Sequence, residues 1–228
     1  MSIIKLGQNS VNRIGLGTNR ISDNDESREI LRYAVERGIN FIDTAHLYTG
    51  GTSERVIGET LAPFPDELVV ASKCGYSDGS PDVLRRELEQ SLASLKTDRI
   101  TLYQLHRVDP KVDIEVSVGT LKEFQDEGKI KHIGLSEVTV EQIKRARQVA
   151  EIVSVQNHYN LSERGSDGVV DYCTAEGIIF IPYFPLHGRG GKSSQEALRW
   201  LLERSPMMLP IPGTLSKAHL DENLGALN

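Results

Sequence analysis

The sequence predicts one α/β domain, residues 1–228, folded as a (β/α)8 TIM barrel with an N-terminal β-hairpin. Short apolar segments alternate with amphipathic ones along the whole chain, and the connectors between them are short. An open doubly wound sheet shares this alternation, but it should carry a Gly-x-Gly-x-x-Gly turn after its first strand. Here Asn19 and Arg20 follow Gly17 instead. The pattern therefore favours the closed barrel.

The composition limits the class of protein. The chain has 228 residues, of which 39% are hydrophobic and 25% charged, which is enough to bury one full core. A net charge of −6 without a basic stripe argues against nucleic acid. No apolar run reaches the roughly 20 residues that cross a bilayer, and the first residues lack the apolar core of a signal peptide. We therefore expect a cytoplasmic protein, with no membrane partner, and favour a monomer.

The elements follow in order. Two apolar segments, residues 3–6 and 11–14, predict the hairpin, and residues 14–17 predict the first barrel strand. The other strands are predicted at residues 40–43, 68–73, 100–106, 130–136, 152–157, 178–182 and 208–211. The helices are predicted at residues 25–37, 53–61, 81–95, 116–127, 140–150, 169–176 and 194–204, with a last short helix from Lys217. Cys74 and Cys173 are too far apart for a metal-ligand motif, so we expect reduced thiols and no metal site.

Ionisable residues end three successive strands. Asp43, Lys73 and His106 end the second, third and fourth strands, and Tyr48 lies on the loop just after Asp43. Parallel barrels carry catalytic groups at this end. Each residue alone has an ordinary structural explanation: Asp43 as a helix cap, Lys73 as a paired lysine, and His106 as a hydrogen-bonded histidine. Their joint placement favours a catalytic site.

The four side chains suit proton transfer to a carbonyl group. A phenol alone is a weak acid at neutral pH, and a neighbouring ammonium stabilises the phenolate. Lys73 would supply that ammonium, and Asp43 would keep it charged and oriented. His106 would donate a hydrogen bond that positions a carbonyl oxygen beside the Tyr48 hydroxyl.

Eight motifs stand at strand ends or in the segments around them. They are Gly15-Leu16-Gly17-Thr18, Asn40-Phe41-Ile42-Asp43-Thr44-Ala45 with Tyr48, Val70-Ala71-Ser72-Lys73, Leu102-Tyr103-Gln104-Leu105-His106, Gly128-Lys129-Ile130-Lys131-His132-Ile133-Gly134-Leu135-Ser136, Val155-Gln156-Asn157, Tyr183-Phe184-Pro185-Leu186 and Ile211-Pro212-Gly213-Thr214. In this order, over nearly the whole chain, they resemble the aldo-keto reductase family. The resemblance implies hydride transfer from NAD(P)H to a small-molecule aldehyde or ketone. It implies Tyr48 as the general acid, Lys73 and Asp43 as the groups that tune it, and His106 as the group that orients the substrate.

The resemblance also implies the cofactor site. Ser136 and Gln156 would hold the nicotinamide carboxamide, and Tyr183 would stack on the ring. The full set that it implies is Gly17, Thr18, Asp43, Ser136, Glu137, Gln156, Tyr183, Phe184, Leu186, Gly213, Thr214, His219, Glu222 and Asn223. Glu137 stands where many members have asparagine, and it would add a negative charge near the ring.

The segment near the C-terminus concerns the choice of dinucleotide. Gly213 and His219 stand where many NADPH-preferring members have a lysine and an arginine. Lys217 and a helix N-terminus remain to hold a 2′-phosphate, so we expect NADPH, with NADH as the alternative. The structural alternative for residues 214–223 is a plain N-capped helix.

The loops of this chain are shorter than the family usually has over the barrel mouth. We therefore expect an open mouth, weak substrate affinity, and small or unselective carbonyl substrates. Two other classes stay open. One is a non-catalytic nicotinamide-binding subunit of the same fold that senses redox state. The other is a phosphate-handling isomerase or lyase on a generic barrel, with Lys73 as base or imine former.

Overall fold

The computed structural model describes residues 3–227, and seven parallel strands form the central sheet of these residues. In sheet order they are β3 (Leu16–Gly17), β4 (Phe41–Asp43), β5 (Val69–Cys74), β6 (Ile100–Leu105), β7 (Ile130–Ser136), β8 (Ile152–His158) and β9 (Ile179–Tyr183). Each strand pairs with the next one along the chain, as in a barrel and unlike a doubly wound sheet. The first two residues and the last, which the predicted domain 1–228 includes, lie outside the described residues.

Helices connect the strands on the outside. They are α1 (Asp25–Glu36), α2 (Thr52–Leu61), α3 (Pro81–Leu95), α4 (Ile114–Asp126), α5 (Val140–Ala146), α6 (Asp167–Glu176), α7 (Ser194–Arg204) and α8 (Lys217–Leu224). Helix α5 is shorter than the predicted 140–150, because the next N–H groups, those of Gln148 and Val149, bond three residues back and tighten the chain into a turn. Among residues 3–227, no helix combines the length and the apolar composition needed to cross a bilayer.

The predicted eighth strand, residues 208–211, is not a regular strand. The segment is extended and closes the gap between β9 and β3 with single hydrogen bonds. The Leu209 N–H donates to the Phe180 carbonyl at 2.9 Å, and the Gly15 N–H donates to the Pro210 carbonyl at 3.0 Å. Pro210 has no N–H, so the ladder cannot continue through it. The barrel is therefore nearly closed, with a weaker seam at this point.

The N-terminal hairpin is confirmed, with a tighter turn than expected. Strands β1 (Ile3–Leu6) and β2 (Asn9–Asn12) pair antiparallel, so the turn has only two residues. Gly7 occupies a left-handed conformation there, with φ of 54°, which glycine adopts without strain. The ring of His132 packs where a side chain of residue 7 would lie. The hairpin is thereby fixed against the start of β7.

The hairpin packs across one end of the barrel, opposite the end at which the strands of the barrel carry their polar residues. Leu6 and Val11 are buried in one apolar cluster with Phe41, Leu102 and Ile181 from the strands. A larger apolar cluster packs the outer faces of the strands against the helices. Because apolar side chains close the end near the hairpin, the polar residues of the strands collect at the opposite end.

Replacing Gly58 by alanine tests the close packing of α2 on α3. A Cβ at Gly58 would lie 2.7 Å from the carbonyl carbon of Leu95, which is backbone and cannot rotate away. Overpacking costs about 1–3 kcal/mol, more than the roughly 1 kcal/mol that alanine gains in a helix. We expect Gly58→Ala to lower the free energy of unfolding by up to about 2 kcal/mol in urea denaturation.

The matched control is Gly119→Ala in α4. The nearest atom to a Cβ at Gly119 is Val149 Cγ1, at 4.0 Å, so only the gain in helix propensity remains. This variant should be more stable than the parent by about 0.5–1 kcal/mol. Equal effects of the two substitutions would show that the contact between α2 and α3 is not tight.

Candidate active site

Four side chains converge at the carboxyl ends of the strands. Asp43 ends β4, Lys73 lies near the end of β5, His106 follows β6, and Tyr48 begins a short 3-10 turn after β4. The Lys73 ammonium donates to Asp43 Oδ1 at 2.7 Å, to the Thr44 carbonyl at 2.8 Å, and to the Tyr48 hydroxyl oxygen at 3.2 Å. The ammonium nitrogen lies 4.8 Å from the centre of the Tyr48 ring. The structure thus brings the four predicted residues into one group.

The ion pair of Lys73 and Asp43 is fully buried, with 0% exposure of the lysine side chain. Burial by itself lowers the pKa of Lys73, but the interactions with Asp43 and Tyr48 together outweigh burial and leave that pKa above its usual value. Asp43 Oδ2 accepts from Gln156 Nε2 at 2.7 Å and from Gln104 Nε2 at 3.4 Å. Both oxygens of the carboxylate are therefore held by hydrogen-bond donors.

His106 is held as a neutral imidazole. Its ring packs edge-on against Tyr48 at 6.0 Å and against Tyr76 at 5.0 Å between centroids. Burial, aided by the charges of Lys73 and Arg107, lowers the pKa of His106 to about 3. A neutral imidazole has one N–H to donate and one nitrogen that accepts. At neutral pH His106 can therefore donate a hydrogen bond to a ligand without adding charge.

One cavity of about 910 Å³ connects the four residues with most of the predicted cofactor set. The predicted cofactor residues that line it are Gly17, Thr18, Asp43, Ser136, Gln156, Tyr183, Phe184, Leu186, Gly213, Thr214, His219, Glu222 and Asn223. Tyr48 and His106 line it as well, while Lys73 lies beneath the surface. A side chain at Gly17 would collide with the Ile211 carbonyl at 2.6 Å. The glycine therefore lets the backbone of β3 pack directly against the backbone at Ile211.

Glu137 is the predicted cofactor residue that the cavity lining does not include. Its backbone is left-handed, with φ of 55°, and this turns the carboxylate toward neighbouring strand ends. Oε1 accepts from the His158 N–H at 2.8 Å, and Oε2 pairs with Arg107 at 3.2 Å. The negative charge expected near the nicotinamide is thus taken up by an arginine.

The residues that the sequence analysis missed include three close to the catalytic group. Gln104 reaches Asp43, and Tyr76 and Arg107 line the cavity beside His106. Side chains two residues apart in a strand lie on the same face, so the sequence could have placed Gln104 beside His106. Tyr76 and Arg107 stand in loops, where the chain pattern does not determine the direction of a side chain.

The fold and the four converging residues define a barrel oxidoreductase, and comparisons with known proteins agree. The model of the Aldo/keto reductase family matches residues 13–193. The chain belongs to this family, whose members are generally NAD(P)H-dependent carbonyl reductases of small molecules. It is therefore an NAD(P)H-dependent aldo-keto reductase by family.

Two curated relatives align over nearly the whole chain. An uncharacterized oxidoreductase of Schizosaccharomyces pombe is 40% identical over 257 residues, covering 98% of this chain and 84% of the relative. Pyridoxine 4-dehydrogenase of Escherichia coli is 36% identical over 260 residues, covering 97% of this chain and 91% of the relative. Both alignments are longer than the 228 residues of the chain, so the relatives carry internal residues without a counterpart here.

Two solved structures share the fold. A thermostable aldo-keto reductase in complex with the inhibitor epalrestat superposes with a TM-score of 0.92 at 28% identity, covering 100% of this chain and 94% of that one. An aldo-keto reductase from Klebsiella pneumoniae in complex with NADPH gives a TM-score of 0.90 at 26% identity, covering 99% and 89%. The predicted (β/α)8 barrel is confirmed by these likenesses.

The neutral state of His106 predicts a pH-dependent stability. The pKa is about 3 in the folded protein and 6.5 in the ordinary side chain, so between these values the unfolded chain binds more protons. The contribution of His106 is complete above pH 6.5 and is lost as the pH falls toward 3. In this window the free energy of unfolding therefore falls by about 1.4 kcal/mol for each pH unit of acidification.

Urea denaturation between pH 4 and 7 measures this slope. We expect the free energy of unfolding of His106→Gln to fall less steeply on acidification than that of the parent, by up to about 1.4 kcal/mol per unit. His219→Gln, which replaces an exposed histidine, serves as the control and should keep the parent slope. A His106→Gln protein with the parent slope would contradict a neutral buried His106.

Proposed function

We propose that this protein reduces an aldehyde or ketone to an alcohol by hydride transfer from NAD(P)H, with Tyr48 as the general acid. The observation that carries the proposal is the 3.2 Å contact between the Lys73 ammonium and the Tyr48 hydroxyl. It puts a buried positive charge beside the oxygen that becomes negative when Tyr48 releases its proton. A tyrosine that served only packing would need no buried cation at its hydroxyl.

Each of the four residues has a role in this reaction. NAD(P)H, when bound, supplies the hydride that reduces the carbonyl carbon. Tyr48 gives its proton to the carbonyl oxygen, and Lys73 stabilises the phenolate that remains. The neutral His106 donates a hydrogen bond to the same carbonyl oxygen and orients it toward Tyr48. Asp43 keeps Lys73 charged and fixed in place.

Three features of the cavity fit a dinucleotide. Asn223 is 4% exposed, and its Oδ1 finds no hydrogen-bond donor among residues 3–227, so an amino group of the adenine would satisfy it. The Tyr183 ring is stacked on His158 at 5.0 Å with an 8° tilt and lines the cavity, so a nicotinamide ring would meet a fixed surface. Gln156, whose Nε2 binds Asp43, keeps Oε1 to accept from the carboxamide.

The lysine that the sequence suggested for the 2′ position of the dinucleotide has other partners in the structure. Lys217, the cation expected there, pairs with Glu29 on α1 and lies over the Tyr33 ring at 5.2 Å. The cavity segment around it offers the polar side chains of Thr214 and His219, and Arg20 and Arg189 line other parts of the same cavity. We infer that the protein uses both NADPH and NADH, with a modest preference for NADPH.

The substrate is proposed to be a small carbonyl compound held weakly. The relatives' extra internal residues agree with the short loops over this mouth, and few side chains are left to bury a substrate. The name of the Escherichia coli relative makes pyridoxine and its aldehyde one pair of compounds to assay. Whether reduction or oxidation prevails depends on which partner of the pair is supplied.

Replacing Tyr48 by phenylalanine tests the general acid. The ring and its packing on His106 stay, while the ionisable oxygen is removed. We expect the turnover of 4-nitrobenzaldehyde with NADPH, followed by nicotinamide absorbance, to fall by about 10²–10⁴-fold, with little change in NADPH affinity. Lys73→Met should show a similar loss of turnover, provided that circular dichroism shows a folded protein, because it leaves Asp43 buried and unpaired.

The matched control is Tyr33→Phe. It removes a hydroxyl that binds Asp221 at 2.7 Å, outside the cavity, and should leave turnover unchanged. Near-normal turnover in Tyr48→Phe would overturn the assigned role of Tyr48. A parent protein that binds NADPH but reduces no aldehyde would instead favour the non-catalytic redox-sensing subunit.

A further inference from the structure

Arg107 holds a positive charge at the cavity mouth, next in sequence to His106. Its side chain is 35% exposed and lines the cavity. The guanidinium carbon lies 5.7 Å from the centre of the Tyr76 ring, and that ring packs edge-on against His106 at 5.0 Å. The guanidinium therefore stands about one aromatic ring away from the group proposed to orient the substrate carbonyl.

Glu137 fixes Arg107 without using up its donors. The Glu137 carboxylate is itself anchored, because Oε1 accepts from the His158 N–H at 2.8 Å. Its Oε2 pairs with one guanidinium nitrogen of Arg107 at 3.2 Å. A guanidinium has five N–H donors, and Glu137 is the one ionic partner that Arg107 has within residues 3–227. The other donors are available to a ligand in the cavity.

We propose that Arg107 determines specificity by selecting carbonyl substrates that carry a carboxylate or phosphate about one aromatic ring away from the carbonyl. The inference rests on the proposed carbonyl reduction at Tyr48. Its physical basis is the planar fork of the guanidinium, which binds both oxyanions through two N–H groups at once.

Because the mouth of the cavity is open, the charge of Arg107 matters for the selection of substrates. Discrimination by shape needs a substrate that is enclosed, and the apolar side chains near the mouth are themselves exposed: Leu47 39%, Tyr76 51% and Phe184 41%. An ion pair at a partly dehydrated surface needs no such enclosure. The chain as a whole carries a net charge of −6, so an anionic substrate depends on a local cation to approach the site.

Three benzaldehydes that differ in the group opposite the aldehyde test the proposal. They are 4-carboxybenzaldehyde, 4-formylphenyl phosphate and the neutral methyl 4-formylbenzoate, each assayed with NADPH at low and high salt. We expect kcat/KM for at least one acid to exceed that of the ester by about tenfold or more, and high salt should reduce this advantage. The acid with the larger advantage tells whether a carboxylate or a phosphate is the better ligand.

Substitutions of Arg107 show whether this residue causes the preference for the acids. Arg107→Met should remove the advantage of the acids, and Arg107→Lys, which keeps the charge but not the fork, should restore part of it. Arg99→Met removes the same charge from an exposed position outside the cavity and should keep the parent ratio. A parent enzyme without any preference for an acid, or an Arg107→Met enzyme with the parent ratio, overturns the inference.

A binding measurement separates this inference from the proposed reaction. Calorimetric titration with 4-(hydroxymethyl)benzoate reports on Arg107 even where no aldehyde is reduced. Tighter binding to the parent than to Arg107→Met, with no turnover in either, would overturn the proposed reaction and retain the anion site. Equal binding to both proteins would overturn the anion site, whatever the turnover.

Discussion

The site depends on the buried ion pair of Lys73 and Asp43. An unpaired lysine with no exposure costs several kcal/mol, so the carboxylate opposite it is a condition for the fold as well as for the chemistry. An ammonium has three N–H donors, and here Asp43, the Thr44 carbonyl and the Tyr48 hydroxyl take them all. Because these acceptors come from the end of β4 and the loop after it, one cation fixes β5, the loop and the proposed acid relative to each other.

The surroundings of the pair leave Asp43 as the balancing charge. Two amides, of Gln104 and Gln156, donate to its second oxygen. Gly134 makes room for one of them, because a Cβ there would lie 2.8 Å from Gln104 Cγ. Burial raises the pKa of Glu54, a second carboxyl that accepts from Ser72 on the same strand as Lys73. In the direct contacts of Lys73 one cation faces one anion, and hydrogen bonds to the Thr44 carbonyl and the Tyr48 hydroxyl complete the group.

The sequence predicted the features that follow from regular strands and helices. It missed the directions of side chains that are set by tertiary contacts. Asp43, Lys73 and His106 could be placed together because parallel strands must end on the same side. The eighth strand was predicted from its apolar run, although Pro210 in the same run has no N–H and interrupts the ladder, a signal that the sequence does contain. The direction of Glu137 follows from a left-handed backbone and from Arg107, and that of Lys217 from Glu29 on a distant helix. Each of these side chains is positioned by a partner far away in the chain, which a local pattern does not show.

The charge state of Lys73 tests this account most directly. The ¹³Cε chemical shift of lysine, followed by NMR from pH 6 to 10 and assigned with Lys73→Met, reports whether the amine is protonated. Because the interactions with Asp43 and Tyr48 together outweigh burial and hold the pKa of Lys73 above its usual value, we expect no titration of this signal up to pH 10, and a lower midpoint in Asp43→Asn. A signal that titrates below pH 9 in the parent would mean a neutral amine beside Tyr48 and would contradict the account.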